Sequence, residues 1–300
     1  MMTRMIFASL AALAATAGAQ SDLLTLQSGE RIVARYEQKA APMKPYVKEL
    51  FSPSGVNVTV DSPPDHFHHH GLMFAIGAGD VDFWTEKPFE KNGREVPRAG
   101  SAKISAKKIS QTLDWNGPNG TPLIVENREV HLQSAQPGGP NILTWRTRLE
   151  PAGKESVKLW GRHYFGIGMR FPADMDAKAK FILPAGSSTG RVVRSDETLR
   201  AADWCAATGE IDGKPVTVAM WDAPQNPRRA VWFTMTKPFS YLSATLNLET
   251  EPLDLKPGET LPLRYGVAVF DGTADAAQIE KARASWLAAE GISKAKETEK

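Results

Sequence analysis

Short runs of β-branched and aromatic residues fill the chain from Leu23 to about Phe270, with Gly, Pro, Asn or Asp between them roughly every eight to fifteen residues. Runs such as residues 31–36, 143–149 and 263–270 alternate, which turns one face of a strand toward a core. This pattern constrains the fold most, and it predicts an all-β protein built as a large antiparallel two-sheet β-sandwich.

The end of the chain has a different pattern. Residues 274–289 are rich in Ala and space Ile279, Ala282 and Trp286 at intervals of three and four residues, the repeat of an amphipathic helix. We therefore expect one C-terminal helix over about 274–289, packed on an outer face of the sheet.

The start of the chain is typical of a secretory signal peptide. Arg4 precedes a short apolar stretch at residues 5–15, and Ala17-Gly18-Ala19 follows it. The prediction is a signal peptide at 1–19 and a single β-sandwich domain at 20–300. We expect the mature protein to be periplasmic or secreted.

The charge and the motifs of the chain exclude several classes of binding partner. The chain has 36 Lys and Arg against 34 Asp and Glu, and no basic run is interleaved with aromatic residues, which argues against nucleic acid. No stretch reaches the ~20 apolar residues of a membrane span. A nucleophile elbow, a phosphate loop and a dinucleotide fingerprint are absent from the sequence. The expected partner is a small-molecule or oligosaccharide substrate, without nucleic acid or membrane.

Four of the six histidines lie within five residues, in the segment Asp65-His66-Phe67-His68-His69-His70-Gly71. Imidazole exchanges protons near neutral pH and ligates metals, so packing alone hardly explains this crowding. In an extended segment, His66, His68 and His70 point to one side and His69 to the other. Those three imidazoles could hold a divalent metal, although a tight turn at residues 63–64 could splay them. A proton-transfer site without metal and a merely structural cluster are the alternatives.

Titratable residues near the cluster and on later strands complete a candidate catalytic set. Asp65 adjoins His66 and can orient its imidazole. Glu126 and His163 could act as general acid or base opposite the histidines, because such catalysis uses two groups with separated pKa values. An exposed strand residue and an ordinary hydrogen-bonded histidine are the alternatives for these two. The predicted catalytic residues are His66, His68, His69, Asp65, Glu126 and His163.

A second set is predicted to bind substrate. Asp82 and Trp84 combine a carboxylate with an aromatic face, a pairing that suits a sugar, while core packing is the alternative for Trp84. The loop at residues 222–228 follows a strand, where sites tend to lie, and a plain turn is its alternative. The predicted substrate-binding residues are Asp82, Trp84, Arg128, Asp222, Asn226 and Arg264.

Several motifs occur together: Lys44-Pro45-Tyr46, Ser52-Pro53-Ser54-Gly55, residues 64–72, Asp82-Phe83-Trp84, Trp204, residues 222–228 and Arg264-Tyr265. Together they resemble a bacterial family of exported proteins of unknown function that is labelled methane oxygenase PmoA-like. The resemblance implies a galactose-mutarotase-like sandwich and, by association, a carbohydrate substrate. Similar proteins often carry Arg in place of His70 and His in place of Ala223. The difference at His70 shifts the implied metal set to His66, His68 and His69.

Three functions follow from these features. The first is an exported carbohydrate lyase, hydrolase or epimerase that uses the histidine cluster for proton transfer, with a divalent metal as the one cofactor the pattern indicates. The second is a non-catalytic sugar-binding module, in which the same groups only bind hydroxyls. The third is a metal-dependent oxidative enzyme, which the PmoA-like resemblance implies.

Overall fold

The computed structural model describes residues 22–39, 43–133, 138–187 and 189–292. The predicted signal peptide at 1–19 lies outside the described residues. The strands, in chain order, are β1 (Leu23–Ser28), β2 (Arg31–Glu37), β3 (Tyr46–Leu50), β4 (Leu72–Ala75), β5 (Gly77–Ala78), β6 (Val81–Asp82), β7 (Arg94–Pro97), β8 (Lys103–Ser105), β9 (Lys108–Asn116), β10 (Pro122–Leu132), β11 (Asn141–Pro151), β12 (Val157–Trp160), β13 (Gly166–Arg170), β14 (Lys180–Ile182), β15 (Arg191–Arg194), β16 (Glu197–Ala201), β17 (Trp204–Ile211), β18 (Lys214–Asp222), β19 (Val231–Met235), β20 (Tyr241–Thr245), β21 (Leu253–Leu255) and β22 (Leu261–Asp271). A 3₁₀ turn at Ala173–Met175 and one helix, α1 (Ala276–Ala289), complete the described elements.

Two large antiparallel sheets form the sandwich. The first sheet has the order β1-β2-β3-β4-β13-β20-β19-β16-β15, and the second has the order β14-β17-β18-β22-β11-β10-β9-β7, with β8 beside β9. A smaller sheet, β21-β12-β5-β6, lies at the side. The inner faces of the large sheets meet, since Phe74 of β4 packs against Trp115 of β9 and Gln111 of β9 donates to Tyr36 of β2. The predicted all-β sandwich is confirmed.

The last strand shows how sequence alternation produces the layers. In β22, Leu261, Leu263 and Tyr265 are buried in the core between the sheets, whereas Pro262 and Arg264 point outward. From Gly266 onward nearly every residue is buried, because a third layer covers the outer face. The outer face of the second sheet is therefore open at one end and covered at the other.

Helix α1 forms that third layer, and the predicted C-terminal helix is confirmed. It begins two residues later than predicted, because Asp275 is the N-cap and exchanges hydrogen bonds with Gln278 in a capping box. Trp286 packs against Trp221 with ring centroids 5.6 Å apart and donates to Thr144 of β11. Within the described residues, no helix has the length and apolar character needed to cross a membrane.

Candidate functional site

The histidine segment folds as consecutive turns between β3 and β4, so the extended conformation considered from the sequence is wrong. The N–H of His66 donates to the carbonyl of Pro63, and the N–H of His69 donates to the carbonyl of His66. Ser62 then closes the loop by donating from its N–H to the carbonyl of His69. Pro63 and Pro64 favour this outcome because their fixed φ suits turns. The side chains consequently do not alternate as they would along a strand.

The turns gather three imidazoles and separate the fourth. The rings of His66 and His69 stack with centroids 4.8 Å apart, and the ring of His68 lies 4.7 Å from that of His69 and 5.7 Å from that of His66. His70 is absent from this group of ring contacts. The cluster that the structure assembles is thus His66, His68 and His69.

His70 belongs to a buried charge network instead. Its Nδ1 lies 2.9 Å from Asp61 and its Nε2 lies 3.0 Å from Glu86, which also accepts a hydrogen bond from Lys44. Its ring stacks on Tyr46 at 4.4 Å. Burial alone would lower the pKa of His70, but hydrogen bonds to the two carboxylates outweigh burial and raise it. His70 is therefore a structural residue held between two carboxylates.

The predicted metal set of His66, His68 and His70 is not brought together. Both ring nitrogens of His70 already face carboxylates, so neither is available as a ligand beside the other two imidazoles. Throughout the described part of the chain, no group of three or more His, Cys, Asp or Glu side chains has the arrangement that could hold a metal ion. The set of His66, His68 and His69 does not meet that requirement either.

Asp65 lies beside His66, the residue whose imidazole it was predicted to orient. Its Oδ2 lies 3.2 Å from Nδ1 of His66, and its Oδ1 accepts a hydrogen bond of 2.7 Å from Arg170 at the end of β13. The Arg170 hydrogen bond holds the pKa of Asp65 well below its usual range. The guanidinium of Arg170 also lies 4.1 Å from the ring centre of Phe239. Arg170 therefore links the histidine turn to the first sheet.

A cavity of about 190 Å³, the histidine pocket, lies between the three imidazoles and β16, β19 and β20. Aromatic side chains supply much of its wall, and Glu197 and Arg194 supply charge. The lining residues are His66, His68, His69, Trp84, Tyr164, Arg194, Glu197, Phe233, Met235, Pro238, Phe239 and Tyr241.

Several lining residues carry buried polar atoms without a hydrogen-bond partner among the described residues. These atoms are His66 Nδ1, whose 3.2 Å contact with Asp65 is not a hydrogen bond, His69 Nδ1, Trp84 Nε1, Tyr241 Oη and Glu197 Oε2. A buried polar atom without a partner costs about 1–3 kcal/mol. Five of them around one cavity indicate that a polar ligand or water completes the pocket.

Burial keeps two of the imidazoles neutral. Burial, supported by the nearby charge of Lys44, lowers the pKa of His68 to about 4. Burial and the neighbouring His68 lower the pKa of His69 to about 2. At neutral pH each ring therefore offers one donor and one acceptor nitrogen.

Glu197 stands on the β16 side of the pocket beside the predicted catalytic residue His163. Glu197 Oε1 accepts a hydrogen bond of 2.8 Å from Arg194, and its Oε2 lies 3.6 Å from Nε2 of His163. The other ring nitrogen of His163 lies 3.2 Å from Glu249. Glu197 was missed from the sequence. The sequence contained one signal for Glu197, because it lies two residues before Leu199 and therefore shares the buried face of β16 with that residue.

Glu126 and Arg128 lie in the core between the sheets, away from the pocket. Arg128 donates to Glu126 and to Glu95 at 2.7 Å, and Glu126 also accepts from Trp115. Burial raises the pKa of Glu95 to about 8. The prediction that Glu126 acts opposite the histidines is wrong, since its carboxylate is fully buried and occupied by core donors.

Among the predicted substrate-binding residues, only Trp84 reaches the histidine pocket. One face of Trp84 stacks on Phe165 with centroids 5.2 Å apart, so core packing accounts for part of its burial. Asp82 caps a turn, accepting from the N–H groups of Trp84 and Thr85.

Asn226 and Arg264 line a different cavity, on the second sheet. Asn226 donates to Asp222 at 2.6 Å, and its amide oxygen accepts from the N–H of Arg264. Burial raises the pKa of Asp222 to about 7. These residues hold the loop after β18 against β22.

The sandwich defines a fold class that comparisons with solved structures describe further. An aldose epimerase homologue from C. elegans superposes with a TM-score of 0.48 at 7% identity, covering 84% of this chain and 99% of that one. A galactose mutarotase related enzyme from Lactobacillus acidophilus gives 0.47 at 10%, covering 85% and 97%. An α-galactosidase from Geobacillus stearothermophilus gives 0.37 at 12%, covering 74% of this chain and only 29% of that one.

The model of a family of unknown function, DUF6807, matches residues 23–284. The chain belongs to this family. A search of curated proteins gave no significant match. The PmoA-like resemblance remains a prediction.

Proposed function

We propose that this is an exported carbohydrate-active protein that binds one sugar ring in the histidine pocket. The observation that carries the proposal is the set of partnerless polar atoms on an aromatic wall, on His66, His69, Trp84, Tyr241 and Glu197. A sugar ring presents hydroxyls to such atoms and C–H groups to aromatic faces. A volume of about 190 Å³ is below the roughly 300–1,000 Å³ of drug-sized sites and favours a single ring. Residues 1–19 support export.

Proton transfer is the chemistry we propose for the pocket. Glu197 and His163 face each other beside the cavity, with Oε2 and Nε2 3.6 Å apart and not hydrogen-bonded to each other. Such a pair can hold or move a proton at a sugar carbon or glycosidic oxygen, as lyases, hydrolases and epimerases require. His66, beside Asp65, stands on the opposite wall as a second proton carrier. In this scheme, the neutral rings of His68 and His69 bind hydroxyls.

A non-catalytic sugar-binding module is the second candidate, and one observation favours it. The lowered pKa values of His68 and His69, about 4 and about 2, make both rings weak bases near neutral pH. A cluster that only exchanges hydrogen bonds with hydroxyls needs neutral rings and no proton transfer.

The test compares binding and turnover in matched variants. Wild type, Glu197→Gln and His69→Ala are assayed against a panel of monosaccharides and aryl glycosides by calorimetry and product analysis. Glu210→Gln, an exposed carboxylate on β17, is the control. For an enzyme, Glu197→Gln should lose about 10²–10⁴-fold in turnover while its sugar affinity stays within a few fold.

The other outcomes either support the sugar-binding module or refute a carbohydrate function for the pocket. Sugar binding by wild type without turnover, lost in His69→Ala, supports the module. If no sugar binds, or if Glu210→Gln impairs binding as much as His69→Ala does, a carbohydrate function for this pocket is wrong.

A further inference from the structure

A second cavity lies on the outer face of the second sheet, away from the histidine pocket. It measures about 610 Å³ and occupies the part of that face which helix α1 leaves open. We call it the arginine groove. The side chains that define it are Arg146, Arg148, Arg264, Thr112, Asn127 and Asn226.

Strand register concentrates guanidinium groups along this groove. Arg146 of β11 pairs directly with Arg264 of β22, and Arg148 lies two residues further along the same face of β11. Like charges directly opposite on neighbouring strands are destabilising unless an anion lies between them. Glu290 supplies one such carboxylate, with Oε2 2.5 Å from Nη2 of Arg146 and 3.5 Å from Nη1 of Arg264.

The fixed carboxylates do not balance the cations. Besides the three arginines, Lys103 lines the groove and Lys108 pairs with Glu129 at its edge. Five cationic side chains thus face three carboxylates, those of Glu129, Glu290 and Glu150. Arg148 lies 3.6 Å from Glu150, beyond hydrogen-bond distance, and its side chain is 54% exposed. The groove therefore presents excess positive charge to solvent.

The remaining lining groups indicate which class of anionic ligand fits the groove. Thr112 and Asn127 contribute a hydroxyl and an amide to the groove wall, and such groups bind hydroxyl-rich ligands, whereas the Asn226 amide is occupied by Asp222 and Arg264. None of the groove's lining residues in the described ranges is aromatic, so the stacking platform that single-stranded nucleic acids use is missing here. Guanidinium groups bind carboxylates and sulfates through paired N–H donors.

We propose that the arginine groove binds an anionic oligosaccharide, with Arg148 and Arg264 contacting its acidic groups and Asn127 its hydroxyls. This site is separate from the histidine pocket and does not rest on the function proposed there. The volume of about 610 Å³, against about 190 Å³ for the pocket, accommodates several sugar units.

Calorimetric titration of the full chain tests the proposal with tetragalacturonate, a sulfated tetrasaccharide and a neutral tetraglucoside as probes. Binding of an acidic probe should weaken as salt rises, and Arg148→Gln and Arg264→Gln should each weaken it about tenfold. Arg191→Gln, an exposed arginine on β15 of the other sheet, is the matched control and should change nothing. His69→Ala should also leave this binding intact, which separates the groove from the pocket.

The two acidic probes identify whether carboxylate or sulfate is the preferred charge, and binding of either supports the proposal. Equal binding of the neutral probe, or tighter binding of a single-stranded oligonucleotide, would overturn it. Loss of acidic-probe binding in His69→Ala but not in Arg148→Gln would place the ligand in the histidine pocket and would overturn the groove assignment.

Discussion

Replacing His69 with Gln should remove a defined part of the acid sensitivity of the fold. The His69 ring is 6% exposed, and burial with neighbouring His68 lowers its pKa from an ordinary 6.5 to about 2. The unfolded chain therefore takes up a proton at this ring below pH 6.5 while the folded chain does not. A histidine whose pKa is lower in the folded chain than in the unfolded chain contributes stability above pH 6.5, and that contribution is lost as the pH falls.

The magnitude follows from the two pKa values. At pH 5 the ring in the unfolded chain is about 1.5 pH units below its pKa, and at about 1.36 kcal/mol per unit this favours unfolding by about 2 kcal/mol. At pH 7.5 the same term is close to zero. Between pH 7.5 and pH 5, the free energy of unfolding of wild type should therefore fall by about 2 kcal/mol more than that of His69→Gln.

Urea denaturation of both proteins at the two pH values measures this difference without interference from other titrating groups, which both chains share. His70→Gln is the contrasting variant, because its carboxylate partners raise the pKa of His70. That raised pKa contributes stability which is fully present below pH 6.5 and is lost as pH rises, so the sign is opposite. If wild type and His69→Gln change in parallel to within about 0.5 kcal/mol, the ring is not buried and neutral as argued.

Two further substitutions test the scaffold, each by urea unfolding at pH 7. Gly71→Ala should cost more than about 2 kcal/mol, because Gly71 has φ +35° and an added Cβ would lie 2.1 Å from the Val47 carbonyl oxygen. The control is Gly100→Ala, which should cost only about 1 kcal/mol because Gly100 also has positive φ but an added Cβ there would meet open space. Arg128→Met should cost about 3–5 kcal/mol, because it leaves the carboxyl groups of Glu126 and Glu95 buried without their guanidinium partner. Stability equal to wild type would refute this role of Arg128.

The fold could be predicted because its signals are local. The alternation of Leu261, Leu263 and Tyr265 identifies a strand with one buried face, whatever its neighbours are. The spacing of Ile279 and Trp286 identifies the buried face of the helix in the same way. Sheet order carries no such local signal, since it depends on pairings between strands far apart in the chain.

The site was only partly predictable for the same reason. The crowding of histidines is visible in the sequence, but their directions depend on whether the backbone is extended or turned. One turn at Pro63 changes which three rings meet. Glu197 and Tyr241 enter the pocket from β16 and β20, and only the β16-β19-β20 order brings them to the histidines.

The opposite behaviour of His69 and His70 links the fold to the site. The two residues are adjacent, yet the pKa of one is lowered and that of the other is raised. The difference arises because His69 packs among Phe239, Tyr241 and other rings, whereas His70 meets two carboxylates. His70, held between Asp61 and Glu86, fixes the end of the turn. That anchor keeps His69 against the aromatic wall, where burial lowers the pKa of His69. The histidine cluster thus divides into one residue that secures the loop and three that form the pocket.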